Sequence, residues 1–275
     1  MRRLVVIAFT VAAVLTGEVA PSCVPGHVAG HQGSHAPVQA ADGIEQLDVK
    51  VLEVLPHDVG AFTQGLELAG GKLYESTGVV GESAILAGPP GGRPEAREEL
   101  PAPLFGEGIA VLGDTLWQLT WRNHVAIERD AKSLAELRRV RYPEEGWGLC
   151  HQNRRRRLVS SDGSARLVFR DPRSLVETGE VTVTADGRPV PRLNELECVG
   201  DTVYANIWAS ERIVRIDSRT GTVTGEIDAS GLLTDREKRR ADVLNGIAAV
   251  SGTDQFLITG KLWPKMFRVT FVRAS

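Results

Sequence analysis

The sequence predicts an all-β fold, namely a five-bladed β-propeller closed by an N-terminal strand that joins the last blade. Three observations lead to this prediction. A short segment recurs five times, a turn-forming dipeptide follows each copy, and a strand-like run at residues 47–55 precedes the first copy. Repeats of about 40–50 residues made of short antiparallel strands are typical of propeller blades.

The recurring segment has an apolar residue at its third position and, in four of the five copies, Gly at its second. The copies occupy residues 64–67, 107–110, 147–150, 194–197 and 245–248, so their starts are 43, 40, 47 and 51 residues apart. An ordinary antiparallel sandwich is the alternative. It would not require the constant offsets found within the repeats, and we therefore favour the propeller.

A second apolar segment follows each copy and predicts a β-hairpin at the start of every repeat. The two segments are separated by the dipeptides at 70–71, 113–114, 153–154, 200–201 and 252–253, which read Gly-Gly, Gly-Asp, Asn-Arg, Gly-Asp and Gly-Thr. Such dipeptides tolerate a positive φ and close tight hairpins.

The ends of the repeat region predict how the ring closes. Only 30 residues follow Asn245, which is too few for a full repeat. The run at 47–55 can supply the missing outer strand of the last blade and leave no edge open. Within the repeats we expect a short exposed helix at 232–242.

Composition excludes two broad classes. The 275 residues include 32 Lys and Arg against 35 Asp and Glu, a net charge of −3, which argues against a nucleic-acid binder. Hydrophobic residues make up 42% and charged residues 24%, so general disorder is also excluded.

The N-terminal region predicts export to the periplasm or outside the cell. Arg2 and Arg3 precede an apolar run at 4–15 that is too short to span a bilayer, as in a secretory signal peptide. We expect a signal peptide at 1–20 with an uncertain cleavage site, a flexible linker at 21–46 and the catalytic propeller at 47–275. A lipid anchor at Cys23 is less favoured, because the residues before it make a poor lipobox.

The other two cysteines are Cys150 and Cys198. They lack CxxC spacing, which argues against a zinc knuckle. Export would allow a disulfide, but a separation of 48 residues does not establish one. We expect buried free thiols.

Candidate site residues follow from the repeat, because one repeat position in all blades forms a ring around the central channel. The pocket that results has an aromatic wall, carboxylates, amides and one cation, and it suits a small polar ligand. The first repeat position holds Gln64, Glu107, Trp147, Asn194 and Asn245, and the ends of the second strands add Glu75, Trp121, Asp162, Trp208 and Lys261.

Some of these residues also have purely structural interpretations. Glu107 could serve only as an acceptor for backbone N–H groups, although the glycines on either side leave it open to a ligand. The three tryptophans could be core residues, and a lone Lys such as Lys261 is usually a surface charge. The pair His57 and Asp58 is better explained as a turn with a capping carboxylate than as a metal site. The ring is poor in metal ligands, so no cofactor is expected to be required, while a structural ion on the channel axis stays open.

Ordered motifs in the chain resemble the plant and bacterial type of glutaminyl-peptide cyclotransferase. They run in order from about residue 50 to 271 and include F-G-E-G at 105–108, L-N-E-L-E at 193–197 and T-G-K at 259–261. Further matching stretches lie at 56–58, 61–65, 73–78, 118–121, 145–148, 161–163, 205–208, 244–247 and 261–264. The resemblance implies a five-bladed propeller, in agreement with the repeats. The segment 83–100 departs from the strand–turn–strand pattern of the family, so we expect weak outer strands there.

The resemblance also implies an activity, the conversion of N-terminal glutamine of peptides to pyroglutamate with release of ammonia. The enzyme would be an aminoacyltransferase that acts by intramolecular cyclisation. Glu107 would shuttle the proton, and Asn194 and Lys261 would hold the amide and the oxyanion. Substrate would bind against the remaining candidates, which are Phe62 and Gln64 at the floor, Trp121, Trp147 and Trp208 at the wall, and Glu75, a weaker candidate for the α-ammonium group.

Two other functions stay open at this point. One is a non-catalytic exported propeller that binds a peptide or protein partner. The other is a metal-dependent hydrolase of the lactonase kind, which would need several carboxylates or histidines around the channel. For the cyclotransferase, the expected partners are peptides or proteins with N-terminal glutamine, with no nucleic acid and no transmembrane segment in the mature chain, and a monomer is the expected state.

Overall fold

The computed structural model describes residues 43–275, and nearly all regular structure in this range is β-strand. The prediction of an all-β protein is confirmed. The predicted signal peptide and most of the predicted linker lie outside the described residues. The strand-like run before the first repeat is β1, which spans Glu45–Pro56.

Three separate antiparallel sheets of four strands follow β1 along the chain, each with its strands paired in sequence order. The first contains β2 (Thr63–Ala69), β3 (Lys72–Thr77), β4 (Ala84–Gly88) and β5 (Ala96–Glu99). The second contains β6 (Gly106–Leu112), β7 (Thr115–Thr120), β8 (Val125–Asp130) and β9 (Glu136–Arg141). The third contains β10 (Leu149–Gln152), β11 (Arg157–Ser160), β12 (Arg166–Arg170) and β13 (Glu177–Thr182).

The remaining strands form two further units that share one sheet. A short hairpin of β14 (Thr184–Ala185) and β15 (Arg188–Pro189) precedes them. The fourth unit contains β16 (Leu193–Val199), β17 (Thr202–Ile207), β18 (Arg212–Asp217) and β19 (Thr222–Asp228). The last contains β20 (Leu244–Ala249), β21 (Gln255–Gly260) and β22 (Lys265–Arg273). β1 pairs antiparallel with β22 along most of its length, so the N-terminal strand does join the last unit.

Two local expectations have different outcomes. The segment 83–100, where we expect weak strands, forms both β4 and β5, which pair from Ala84 with Glu99 to Ala87 with Ala96. The expected helix at 232–242 is present as α1, Asp235–Lys238, with a capping box between Thr234 and Glu237. No helix in residues 43–275 is long and apolar enough to cross a membrane.

The units contact one another through their first strands. β2, β6, β10, β16 and β20 are neighbours in that cyclic order, and β20 contacts β2 again. An apolar cluster lies between each pair of neighbouring units, and burying one such Leu or Ile contributes about 1.5–3 kcal/mol. Between the last unit and the first, the cluster contains Leu66, Leu73, Ala248, Leu257 and Met266.

The glycine at the second repeat position allows this close contact. A Cβ at Gly108 would lie 2.5 Å from the carbonyl oxygen of Trp147, and one at Gly148 would lie 2.1 Å from that of Asn194. Both distances are far below van der Waals contact with backbone atoms. A glycine is therefore required at residues 108 and 148, where neighbouring first strands pass each other.

The prediction of free thiols is wrong. Cys150 on β10 and Cys198 on β16 form a disulfide, with their Cα atoms 5.4 Å apart. The two strands are neighbours in the ring, although 48 residues separate the cysteines. The disulfide thus links the third and fourth units covalently.

Candidate active site

A β-bulge interrupts four of the five first strands at the start of the repeat. The pairing register shifts between Thr63 and Gly65, and equivalent shifts occur at residues 106–109, 193–196 and 244–247. A bulge bends its strand and redirects a side chain. The residues in these bulges include four of the predicted ring residues, all buried, namely Gln64, Glu107, Asn194 and Asn245.

Three of these side chains form a hydrogen-bonded chain that ends on Glu107. Asn245 Nδ2 donates to the Thr63 carbonyl at 3.0 Å and lies 3.4 Å from Gln64 Oε1. Gln64 Nε2 in turn donates to Glu107 Oε1 at 3.0 Å. The chain fixes the orientation of the Glu107 carboxyl. The repeat identifies Asn245 as a ring residue, but sequence reasoning gives it no role.

Burial sets the protonation of Glu107. It raises the pKa of this carboxyl well above the usual range, with the Lys261 charge opposing the shift and the Glu145 charge adding to it. A carboxyl with a raised pKa can exchange a proton near neutral pH, as general acid–base catalysis requires. Glu107 is only 4% exposed, so it is not a surface carboxylate.

Lys261 lies immediately after β21 and is also buried, with 5% exposure. Its Nζ lies 4.7 Å from the centre of the Phe62 ring, within the range of a cation–π contact. Burial lowers the pKa of Lys261, while the charges of Glu107 and Asp242 oppose that shift. Lys261 is therefore not the solvated surface charge that a lone Lys usually is.

Five aromatic side chains form two contact groups. Phe62, Phe105 and Trp121 are in successive contact, with ring centres 6.3 Å and 5.6 Å apart. Trp147 and Trp208 meet edge to face at 5.8 Å. Trp208 is 42% exposed, which excludes a core role for this residue.

Glu145 joins the two aromatic groups, a role that the sequence does not predict. Its Oε2 accepts from the indole Nε1 of Trp121 at 2.9 Å and of Trp147 at 3.4 Å. Burial would raise the pKa of Glu145, but the hydrogen bonds from Arg122, Trp147 and Trp121 outweigh it and lower the pKa. In the sequence, Glu145 stands two residues before Trp147, in stretch 145–148, one of those that carry the family resemblance.

Asn194 is buried on β16, and its backbone carbonyl accepts from Ser161 Oγ at 2.6 Å. Among the described residues, its side-chain amide has no hydrogen-bond partner. The amide can therefore bind a polar ligand without first breaking a contact within residues 43–275.

The structure does not bring Glu75 into this group. Its Oε1 accepts from Thr63 Oγ1 at 2.7 Å and lies 3.0 Å from His57 Nε2. Trp121, Trp208 and Lys261 each follow directly after the second strand of their unit. In the first unit this position is occupied by Gly78, not by Glu75. A Cβ at Gly78 would lie within 2.5 Å of the Phe105 ring.

The pair His57 and Asp58 forms the expected turn, in which Asp58 Oδ1 accepts from the N–H of Gly60 at 2.9 Å. In the described part of the chain, no group of three or more His, Cys, Asp or Glu residues could hold a metal ion.

Comparisons with known proteins agree with the resemblance seen in the motifs. The model of a family described as glutamine cyclotransferase matches residues 27–271. The glutaminyl-peptide cyclotransferase of Arabidopsis thaliana is 37% identical over 234 residues, which cover 83% of this chain and 72% of the plant protein. The crystal structure of Myxococcus xanthus glutaminyl cyclase superposes with a TM-score of 0.75 and 38% identity, covering 84% of this chain and 100% of that one.

Proposed function

Because this chain belongs to the glutamine cyclotransferase family, we infer that it is a glutaminyl-peptide cyclotransferase. It converts the N-terminal glutamine of a peptide to pyroglutamate and releases ammonia. Beyond family membership, the observation that carries this inference is the buried carboxyl of Glu107, held by Gln64 and placed near the Lys261 charge.

In the proposed reaction, the α-amine nitrogen of the substrate attacks the carbon of its own side-chain amide. The new C–N bond closes the five-membered ring, and the bond to the amide nitrogen breaks. Glu107 accepts the proton that the amine loses and donates it to the departing nitrogen, which leaves as ammonia. Because the attack is intramolecular, holding the side chain folded onto the amine supplies much of the rate.

Asn194 and Lys261 are the proposed donors to the substrate amide and to the oxyanion that forms on it. Preorganised donors of this kind are worth about 10²–10³ in rate each. The rings of Trp121, Trp147 and Trp208 enclose the glutamine side chain, with Phe62 and Gln64 beneath it. The hydrogen bonds of Glu75 make it a weaker candidate for the substrate's α-ammonium group.

Three broader proposals accompany this function. The five units are the blades of a propeller, supported by the cyclic contacts of β2, β6, β10, β16 and β20. The enzyme is an aminoacyltransferase that requires no metal ion for its chemistry, because Glu107 can supply the proton transfer, and a structural ion is left open. It acts as a monomer.

Export is proposed from the sequence alone. Arg2 and Arg3 before the apolar run at 4–15 favour a signal peptide at 1–20, followed by a linker at 21–46 and the catalytic domain at 47–275. The enzyme would then act in the periplasm or outside the cell, with a lipid anchor at Cys23 less favoured.

The function is tested with the purified full chain and a peptide that begins with glutamine. Ammonia release and the loss of one NH₃ from the peptide mass are followed with and without EDTA. We expect turnover that EDTA does not affect. Glu107→Gln can still accept from Gln64 but cannot carry the proton, so kcat should fall about 10²–10⁴-fold with folding unchanged.

The matched control is Glu98→Gln, which removes an exposed carboxyl on β5 and should leave kcat unchanged. Full turnover by Glu107→Gln would contradict the shuttle role. A folded wild-type protein that releases no ammonia would favour the non-catalytic binding protein instead.

A further inference from the structure

A buried His–Glu pair lies beside the catalytic residues, and the reaction described above does not use it. His57 stands between β1 and β2, and Glu75 lies on β3. Their side chains are 3% and 13% exposed. Both line a cavity of about 1110 Å³ that also reaches Phe62 and Gly78.

The partners of the His57 ring define its protonation. Nδ1 lies 2.7 Å from the backbone carbonyl oxygen of Trp263, and Nε2 lies 3.0 Å from Glu75 Oε1. A carbonyl oxygen can only accept, so Nδ1 carries a hydrogen. Opposite an ionised Glu75 carboxylate, which also only accepts, Nε2 carries one as well. A ring that donates at both nitrogens is an imidazolium, paired with the Glu75 carboxylate.

Trp263 belongs to the segment that carries Lys261, here called the Lys261 loop (residues 261–264). This loop packs on the segment before β2 through two more backbone hydrogen bonds. The N–H of His57 donates to the Pro264 carbonyl at 3.1 Å, and the N–H of Leu262 donates to the Ala61 carbonyl at 2.7 Å. Among the hydrogen bonds between the Lys261 loop and the segment before β2, the one made by the His57 ring involves a side chain.

Glu75 also reaches the start of β2, because its Oε1 accepts from Thr63 Oγ1 at 2.7 Å. Thr63 directly precedes Gln64, which donates to Glu107. A single carboxylate therefore contacts both the ring that holds the Lys261 loop and the strand that carries Gln64.

We propose that His57 and Glu75 are positioning residues for the cyclisation reaction. The doubly protonated His57 ring fastens the Lys261 loop to residues 61–64 and thereby fixes Lys261, Phe62 and Gln64 around Glu107. Loss of the Nδ1 proton leaves the Trp263 carbonyl without this donor. Loss of the Nε2 proton removes the bond to Glu75, which keeps Thr63 as a donor. Either loss weakens the link between the Lys261 loop and residues 61–64. This proposal rests on the proposed function, because its effect on turnover is an effect on that reaction.

The charges around His57 give the sign of the pH dependence. Glu75 faces it from β3, Asp58 from its own segment, and the Lys261 loop presents the neutral carbonyl of Trp263. Burial of the charged ring lowers the pKa of His57. Three groups raise it and outweigh burial, namely Glu75 through its hydrogen bond and charge, the Trp263 carbonyl, and the charge of Asp58, so the pKa of His57 is raised. The link is therefore intact below this raised pKa and is weakened as pH rises through it.

The test combines an NMR titration of the imidazole nitrogens with pH profiles of kcat and KM for a glutamine-initiated peptide. Glu75→Gln keeps a hydrogen-bond acceptor but removes the charge. It should lower the pKa of His57, and the alkaline limb of kcat should move to lower pH by about 1–3 units. His57→Gln should lower kcat about 10²-fold, the effect of displacing catalytic groups by about 1 Å, and should abolish that limb.

The control is His151→Gln on β10, a half-buried His whose pKa burial lowers, and it should leave the profile unchanged. Superimposed pH profiles for wild type and Glu75→Gln would overturn the proposal, as would a His57 pKa that Glu75→Gln does not alter. A raised KM with an unchanged kcat profile would instead make Glu75 a substrate ligand. The NMR titration does not depend on turnover, so an inactive wild-type protein would contradict the proposed function and still leave the pair tested.

Discussion

Glu107 and Glu145 have opposite pKa shifts because the protein solvates the two carboxyls differently. Glu107 receives one hydrogen bond from an uncharged amide, so burial dominates and raises its pKa. Glu145 receives hydrogen bonds from Arg122 and two indoles, and its pKa is lowered. Two carboxyls near the same pocket thus have opposite shifts, which suits one for moving a proton and the other for holding rings in place.

Lys261→Met tests the electrostatic link between Lys261 and Glu107. Loss of the oxyanion donor should lower kcat about 10²–10³-fold. The Lys261 charge lowers the pKa of Glu107, so its removal should raise that pKa further. The limb of the residual kcat/KM profile that follows Glu107 should therefore move to higher pH. Lys265→Met, which removes a partly exposed Lys paired with Glu237, is the control, and a limb that does not move would contradict the link.

Among the elements, the first strand of each unit carries the residues that place the site, and most of these strands combine a β-bulge with a glycine. The bulges at Gln64, Glu107, Asn194 and Asn245 bend the strands and redirect these buried polar side chains. The glycines next to them let neighbouring strands approach. In the fourth unit Glu195 replaces the glycine, and its carboxylate accepts from the N–H groups of Leu66 and Ile247.

Gly148→Ala should therefore disturb the site through the backbone. The new Cβ would overlap the Asn194 carbonyl oxygen at 2.1 Å, and β16 would have to move. We expect a loss of about 1–3 kcal/mol in the free energy of unfolding, together with a raised KM because Asn194 is displaced. Urea unfolding and steady-state kinetics measure both. Gly43→Ala adds a Cβ in open space and should change neither, and a fully stable Gly148→Ala enzyme would contradict the close-contact explanation.

The repeat can be predicted from the sequence because each unit has the same pattern of strands and turns. Glu107, Gln64, Asn194 and Lys261 follow from that pattern, and the structure buries all four. The predicted ring position in the first unit, Glu75, lies three residues too early. The matching position is Gly78, where the Phe105 ring leaves no room for a side chain. The disulfide and Glu145 depend on contacts between units that no local spacing encodes.

For the molecule as a whole, three carboxylates of the first strands join the units at residues 67, 195 and 197. Glu67 accepts from the N–H of Val111 at 2.7 Å, and Glu197 accepts from that of Ala249 at 3.1 Å. Glu195 connects the fourth unit with the first and the last. Burial raises the pKa of all three, so ionising them costs stability even though each has a backbone donor.

The stability of the whole ring should consequently decrease with rising pH. Burial raises the pKa of Glu197 to about 7, and a carboxyl with a raised pKa binds its proton more tightly in the folded state. Its stabilising contribution is complete below the ordinary carboxyl range and is lost as pH rises toward and past 7. Glu197→Gln keeps an acceptor for the Ala249 N–H but cannot ionise. Between pH 5 and pH 8, the free energy of unfolding measured with urea should therefore fall less in this variant than in wild type, by about 1 kcal/mol. The exposed Glu98→Gln should follow wild type, and an equal loss in Glu197→Gln would show that Glu197 does not titrate in this window.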